Sequence, residues 1–244
     1  MDLIVMLAVS CAFIAVFSRS IKEQALIWYG MALALDFAYA YGVVFSLPPW
    51  ALHILSLTVQ RATLATALFI IVMYCGVLPG QSAPRRRLSS IRGELSVMAC
   101  ILALAHCFNY LDSYVGVLVR DAEAVGALQL ASLLLAFVLL VLLVMLGMTS
   151  LKRVKRSMPP AKWMAIQRLS YVFFAMIYVH EMLFLCPAAA KGSADALATC
   201  VMSSVIFIGY AVLRIFRSIA DARAVATDAQ EALSTRFRKE SRHD

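Results

Sequence analysis

Apolar residues in this chain run in long unbroken stretches, separated by short polar or basic segments. Seven stretches stand out, at approximately 3–18, 25–47, 52–78, 95–118, 125–149, 169–188 and 198–216. A helix needs about 20 mainly apolar residues to cross a bilayer, whereas the strands of a membrane barrel alternate apolar and polar over roughly 10. The pattern therefore predicts an all-α, polytopic membrane helix bundle with seven transmembrane helices. Residues 218–244 alternate Ala with mixed charges and read as a cytoplasmic helix that frays into a polar end. The first stretch reads as a retained anchor, because its basic residues follow the apolar run where a cleavable signal peptide would carry them in front.

Composition sharpens this reading. The chain is 63% hydrophobic and 15% charged, well below the roughly 25% charged residues of an ordinary soluble domain. Its net charge of +8 raises the question of a nucleic-acid partner. All but Arg61, Arg120 and Lys191 of the 22 Lys and Arg fall on alternate connections and in the tail, and no aromatic residues interleave with them as in a nucleic-acid surface. The excess is a topology signal. It puts the N-terminus outside and the C-terminus in the cytoplasm of a multi-pass cell-membrane protein, which an odd number of spans satisfies, and it leaves no nucleic-acid partner in the expectation. Neither a GxGxxG fingerprint nor a Walker sequence is present. The six cysteines lack CxxC spacing, and only Cys186 and Cys200, flanking an outer connection, invite a disulfide.

Polar residues inside the spans are then the candidates for chemistry, because lipid makes each of them costly. His106 lies 14 residues after Arg92 and His180 lies 12 after Arg168, on two spans of the same direction. At about 1.5 Å per residue, both imidazoles sit roughly 18–21 Å from the cytoplasmic edge. Two neutral histidines at one depth suit the axial ligation of a b-type haem, so His106 and His180 are the candidate metal ligands. A proton relay through Asp112 and a metal site drawing on Asp112 or Glu181 are the alternatives, although Glu181 points about 100° away from His180 around its helix. Arg61, within the third span, requires an anion. A haem propionate, Asp36 or Asp112 would each serve.

Two segments, RGELSVMACILALAHCFNY from Arg92 to Tyr110 and KWMAIQRLSYVFFAMIYVH from Lys162 to His180, resemble the ferric-reductase-like transmembrane domain family, nearest its MsrQ/YedZ haem-binding membrane subunits. The resemblance rests on the ordered set Arg61, Arg92, His106, Trp163, Tyr171 and His180 and covers roughly residues 25–216. It implies residues 1–24 as an extra N-terminal transmembrane helix with its inner loop, 25–217 as a six-helix haem-binding core, and 218–244 as the cytoplasmic tail. It also implies haem at His106 and His180. Where the family often carries a further ligand for an inner haem, this chain has Gln167, so one haem b is expected, the outer one.

Together these readings predict an electron-transfer membrane subunit of an oxidoreductase. It would take electrons from a quinone pool or a flavin and pass them to an extracytoplasmic redox partner protein. His106 and His180 would bind iron, Arg61 would hold a propionate, and Arg92 with Gln167 would line the inner mouth. Trp163 and Tyr171 read as an interfacial anchor and a packing residue, and Asp36 as either a proton acceptor or a partner of Arg61. The competing reading is a non-redox transporter or sensory membrane module in which the same histidines, Arg61 and the aspartates form a polar network.

Overall fold

A computed structural model describes residues 2–42, 46–80, 82–120 and 126–240, with side chains at all of these except 2, 117, 118, 224, 225 and 228–240. Residues 43–45 at the end of the second expected span, Val125 at the start of the fifth, and Arg242 of the basic tail lie outside the described residues. The described chain is helical: α1 Asp2–Glu23, α2 Ala25–Tyr41, α3 Pro49–Leu55, α4 Thr63–Tyr74, α5 Ala83–Arg120, α6 Ala127–Ser150, α7 Lys152–Ser157, α8 Pro160–Ala190 and α9 Ala194–Glu240. Local chemistry sets several of these boundaries. Pro49 and Pro160 open α3 and α8, where their missing N–H costs nothing. Gly192, at φ +92°, turns the chain between α8 and α9 in a conformation that a side chain would strain.

Five helices, α1, α5, α6, α8 and α9, are long and apolar enough to cross a membrane. A sixth crossing comes from α3 and α4 taken as one bent span, and α2 is a shorter apolar helix of 17 residues. The third expected span is therefore not one continuous helix. It widens into a π turn at Ser56–Gln60, breaks at Arg61 and Ala62, and resumes at Thr63 with a 42° bend. Ala62 sits at φ +53°, a left-handed backbone that cannot continue an α-helix. In lipid the carbonyls freed by such a break must find donors nearby. Thr63 Oγ1 donates to the Leu57 carbonyl, the Arg61 N–H to the Ser56 carbonyl at 3.1 Å, and the Ala62 N–H to the Val59 carbonyl at 3.0 Å.

The core forms around α4, whose Ala65, Ala67, Leu68, Ile70, Ile71, Val72 and Met73 are all buried. Helix α1 packs on α4 and α5, α2 on α5, and α6 on both α5 and α8, while α9 pairs with α8. The approach of α6 to α5 depends on Gly147, because a Cβ there would lie 2.9 Å from the Cys100 sulfur. Phe173 reaches Phe69 of α4 at 5.2 Å between centroids, and Phe174 packs on Phe207 and Tyr210 of α9. Large apolar side chains such as Val16, Leu26, Phe37, Phe137, Val205 and Phe216 remain exposed around the bundle. In water this would be a liability; around a helical bundle it is the surface that faces acyl chains.

Candidate functional site

The bend in the third span supplies the first contact of the candidate site. His106 on α5 lies with Nδ1 2.6 Å from the Gln60 carbonyl oxygen. A carbonyl only accepts, so Nδ1 carries the proton and Nε2 is left with its lone pair. Tyr110, one turn further along α5, packs on the ring at 4.8 Å between centroids. Helix α8 supplies His180, whose ring meets Phe184 edge-on at 5.2 Å and whose Nδ1 is buried with no hydrogen-bond partner. The two imidazoles lie within electrostatic reach of each other. Two histidines 74 positions apart in sequence thus fall in one region of the bundle, although the main packing partners of α8 are α6 and α9.

The other expected site residues fall around this pair or at the far end of the bundle. Arg61 directly follows Gln60, closes the π turn and is exposed, so it stands at a break and not on the wall of a regular helix. Asp36 on α2 is partly buried, with Oδ1 lacking a hydrogen bond, while Asp112 is exposed. Arg92 and Gln167 share the lining of one small cavity with Ser96, Ser150 and Ser170. Its volume is about 40 Å³, room for a water or two and far less than an organic cofactor occupies. Gln167 Nε2 donates to Thr149 Oγ1 at 2.9 Å, and Trp163 Nε1 donates to the Thr149 carbonyl at 2.9 Å. These two side chains, one turn apart on α8, tie it to α6. Lys155 lies 4.3 Å over the Trp163 ring, and Arg214 lies 5.2 Å over Tyr171.

Several polar contacts were not anticipated by the sequence. The Gln60 carbonyl becomes an acceptor only because the helix breaks; the run Ser56, Thr58, Gln60, Arg61 within an apolar stretch was the available signal. Glu94, buried on α5, meets Lys152 of α7 at 2.6 Å. On the α8–α9 face, Ser203 Oγ donates to Glu181 Oε1 at 2.8 Å, leaving Oε2 buried without a partner. Cys186 and Cys200 are both free thiols, and Cys186 Sγ donates to Met182 Sδ at 3.9 Å. Among the described residues no group of three or more His, Cys, Asp or Glu is arranged to hold a metal ion. A pair of axial imidazoles is a different kind of site and needs only two protein ligands.

No family model matches the chain, and no solved structure matches it. It is 31% identical over 179 residues to an uncharacterized protein of Treponema pallidum (strain Nichols), an alignment that covers 72% of this chain and 49% of the other. The chain spans about half the length of the curated relative it matches.

Proposed function

We propose that this chain is a membrane cytochrome of the b type, with His106 and His180 as the two axial ligands of a single haem. The observation that carries the reading is the state of the two imidazoles. His106 has its Nδ1 held by the Gln60 carbonyl and its Nε2 free, the arrangement in which an outer hydrogen bond fixes tautomer and ring orientation for ligation. His180, within electrostatic reach, has a buried nitrogen that no protein group occupies. Bound there, haem supplies one-electron transfer. The chain's own residues would orient the ligands, with Tyr110 and Phe184 packed against the two rings, and Arg61, beside Gln60, would hold a propionate. A quinol or flavin donor and an acceptor at the outer face complete the proposal, with Asp36 available to take a proton.

One haem, and not two, is favoured by the inner end of the bundle. There Gln167 is committed to Thr149, and the cavity beside it is too small for a second macrocycle. Seven spans are reached if α2 crosses as well; its 17 residues extend about 26 Å, at the lower limit for a span. With the N-terminus outside, the basic connections all lie in the cytoplasm.

A second reading is favoured by the same bond between His106 and Gln60, which satisfies His106 without any ligand. In it the histidines, Arg61 and Asp36 form a polar network around a broken helix, as in a transporter or sensory module. A reduced-minus-oxidised visible spectrum of the protein purified after haem-replete expression separates the two. The cytochrome reading expects a bis-histidine haem signal, lost in His106→Ala and in His180→Ala and retained in His53→Ala. A colourless wild-type protein rejects it.

A further inference from the structure

Away from the histidines, arginines from two helices converge where α4 ends. Arg85 and Arg92 are seven residues apart on α5 and so share a face; Arg214 and Arg217 lie one turn apart on α9. Gly80, between α4 and α5, is where Arg85 and Arg217 meet. A Cβ built on Gly80 would lie 3.3 Å from Arg85 Nη1 and 3.6 Å from Arg217 Nη2, so those nitrogens are at most about 7 Å apart. Arg92 lies within electrostatic reach of Cys75, as does Arg85, and within reach of Tyr210, as does Arg214.

Guanidinium groups this close repel one another, and the protein does little to neutralise them. Arg85 Nη1 donates to the Leu78 carbonyl at 3.2 Å, which supplies a dipole and no charge. Arg217 Nε lies 3.1 Å from Asp221 Oδ1 but is not aligned for a hydrogen bond with it and is otherwise buried without a partner. Among the described residues Asp221 is the only carboxylate ion-paired with any of the four, and it is half exposed. The cluster therefore retains a positive excess, and two of its guanidinium groups close over Gly80 so tightly that a Cβ there would press on Arg85. Ile215, Phe216 and Ile219 stand exposed beside it on α9. Cationic groups bordered by exposed apolar side chains, toward the polar ends of two spanning helices, match the level at which phospholipid phosphates meet acyl chains.

We propose that Arg85 and Arg217, seated over Gly80 with Arg92 and Arg214 alongside, form a binding site for a phosphate group, supplied by the headgroup of an acidic phospholipid. It is independent of any haem. The test is native mass spectrometry of the full-length chain titrated with phosphatidylglycerol or phosphatidylcholine. The wild type should prefer the acidic lipid roughly twenty-five-fold, given about fivefold for each of Arg85 and Arg217 near an anionic surface. Arg85→Gln/Arg217→Gln should lose that preference, while Arg153→Gln/Arg156→Gln, on the exposed α7, should keep it. If the first double variant does not fold, Gly80→Val decides, because its side chain displaces the Arg85 and Arg217 guanidinium groups from their seat and keeps every charge; it too should lose the preference. Equal binding of the two lipids by the wild type overturns the site, as does a preference that survives in Arg85→Gln/Arg217→Gln or, where that variant cannot be purified, in Gly80→Val. Displacement of phosphatidylglycerol by inorganic phosphate at comparable concentration overturns the lipid as its source.

Discussion

Single residues in this bundle are costly in proportion to what they leave unsatisfied. Ala62 holds a left-handed backbone at the break in the third span, a conformation that costs a residue with a Cβ about 1 kcal/mol relative to glycine. Ala62→Gly should accordingly raise thermal stability in detergent slightly, by up to about 1 kcal/mol, without altering the haem spectrum expected of the wild type. Gln167 tests the haem count. Its amide bonds Thr149 beside a cavity of about 40 Å³, so Gln167→His should leave a pyridine haemochrome ratio near one haem per chain, where an inner haem site would bring it toward two. That His106 and His180 are candidates was legible in the sequence, because histidine is expensive in lipid wherever it falls. The group that holds His106 was not, because the Gln60 carbonyl is available only through a helix break.

Between elements, the contacts that join helices divide into close backbone approach and polar clasps. Gly147 lets α6 approach α5 until the Cys100 thiol donates to the Leu143 carbonyl at 3.6 Å. Gly147→Leu would drive a side chain into Cys100 and force the two helices apart, with an expected loss of about 1–3 kcal/mol by thermal unfolding. The clasp between Glu94 and Lys152 joins a buried carboxylate to a lysine whose side chain is 61% exposed, so the pair itself is worth little. Removing the lysine is another matter, since it strands the carboxylate. Lys152→Met should therefore destabilise the protein more than the double change Lys152→Met/Glu94→Gln, and a double-mutant cycle measures the difference. The helices themselves were largely readable from hydropathy. The bend at 56–62 was not, because hydropathy sums over a window and is blind to which carbonyls keep their donors.

For the whole molecule the number of crossings fixes whether the two ends lie on one side. Seven spans place Ser193, between α8 and α9, outside and Ser157, before α8, inside. A membrane-impermeant thiol reagent applied to intact cells should then label Ser193→Cys in a background lacking the native cysteines and reach Ser157→Cys only after permeabilisation. Epitope tags at the two ends should be accessible from opposite sides; accessibility from the same side would mean that α2 does not cross. By itself the sequence determined that this chain lives in lipid, which stretches form its helices, and which few polar residues intrude on them. It could do so because the cost of burying a polar group in hydrocarbon is paid residue by residue and depends little on the rest of the fold. Only the tertiary structure decided that Gln60 meets His106, that Gly147 admits Cys100, and that Arg85 faces Arg217 over Gly80. Those meetings join positions 46, 47 and 132 residues apart. They depend on how helices bend and approach, which no local sum of hydropathy or charge contains.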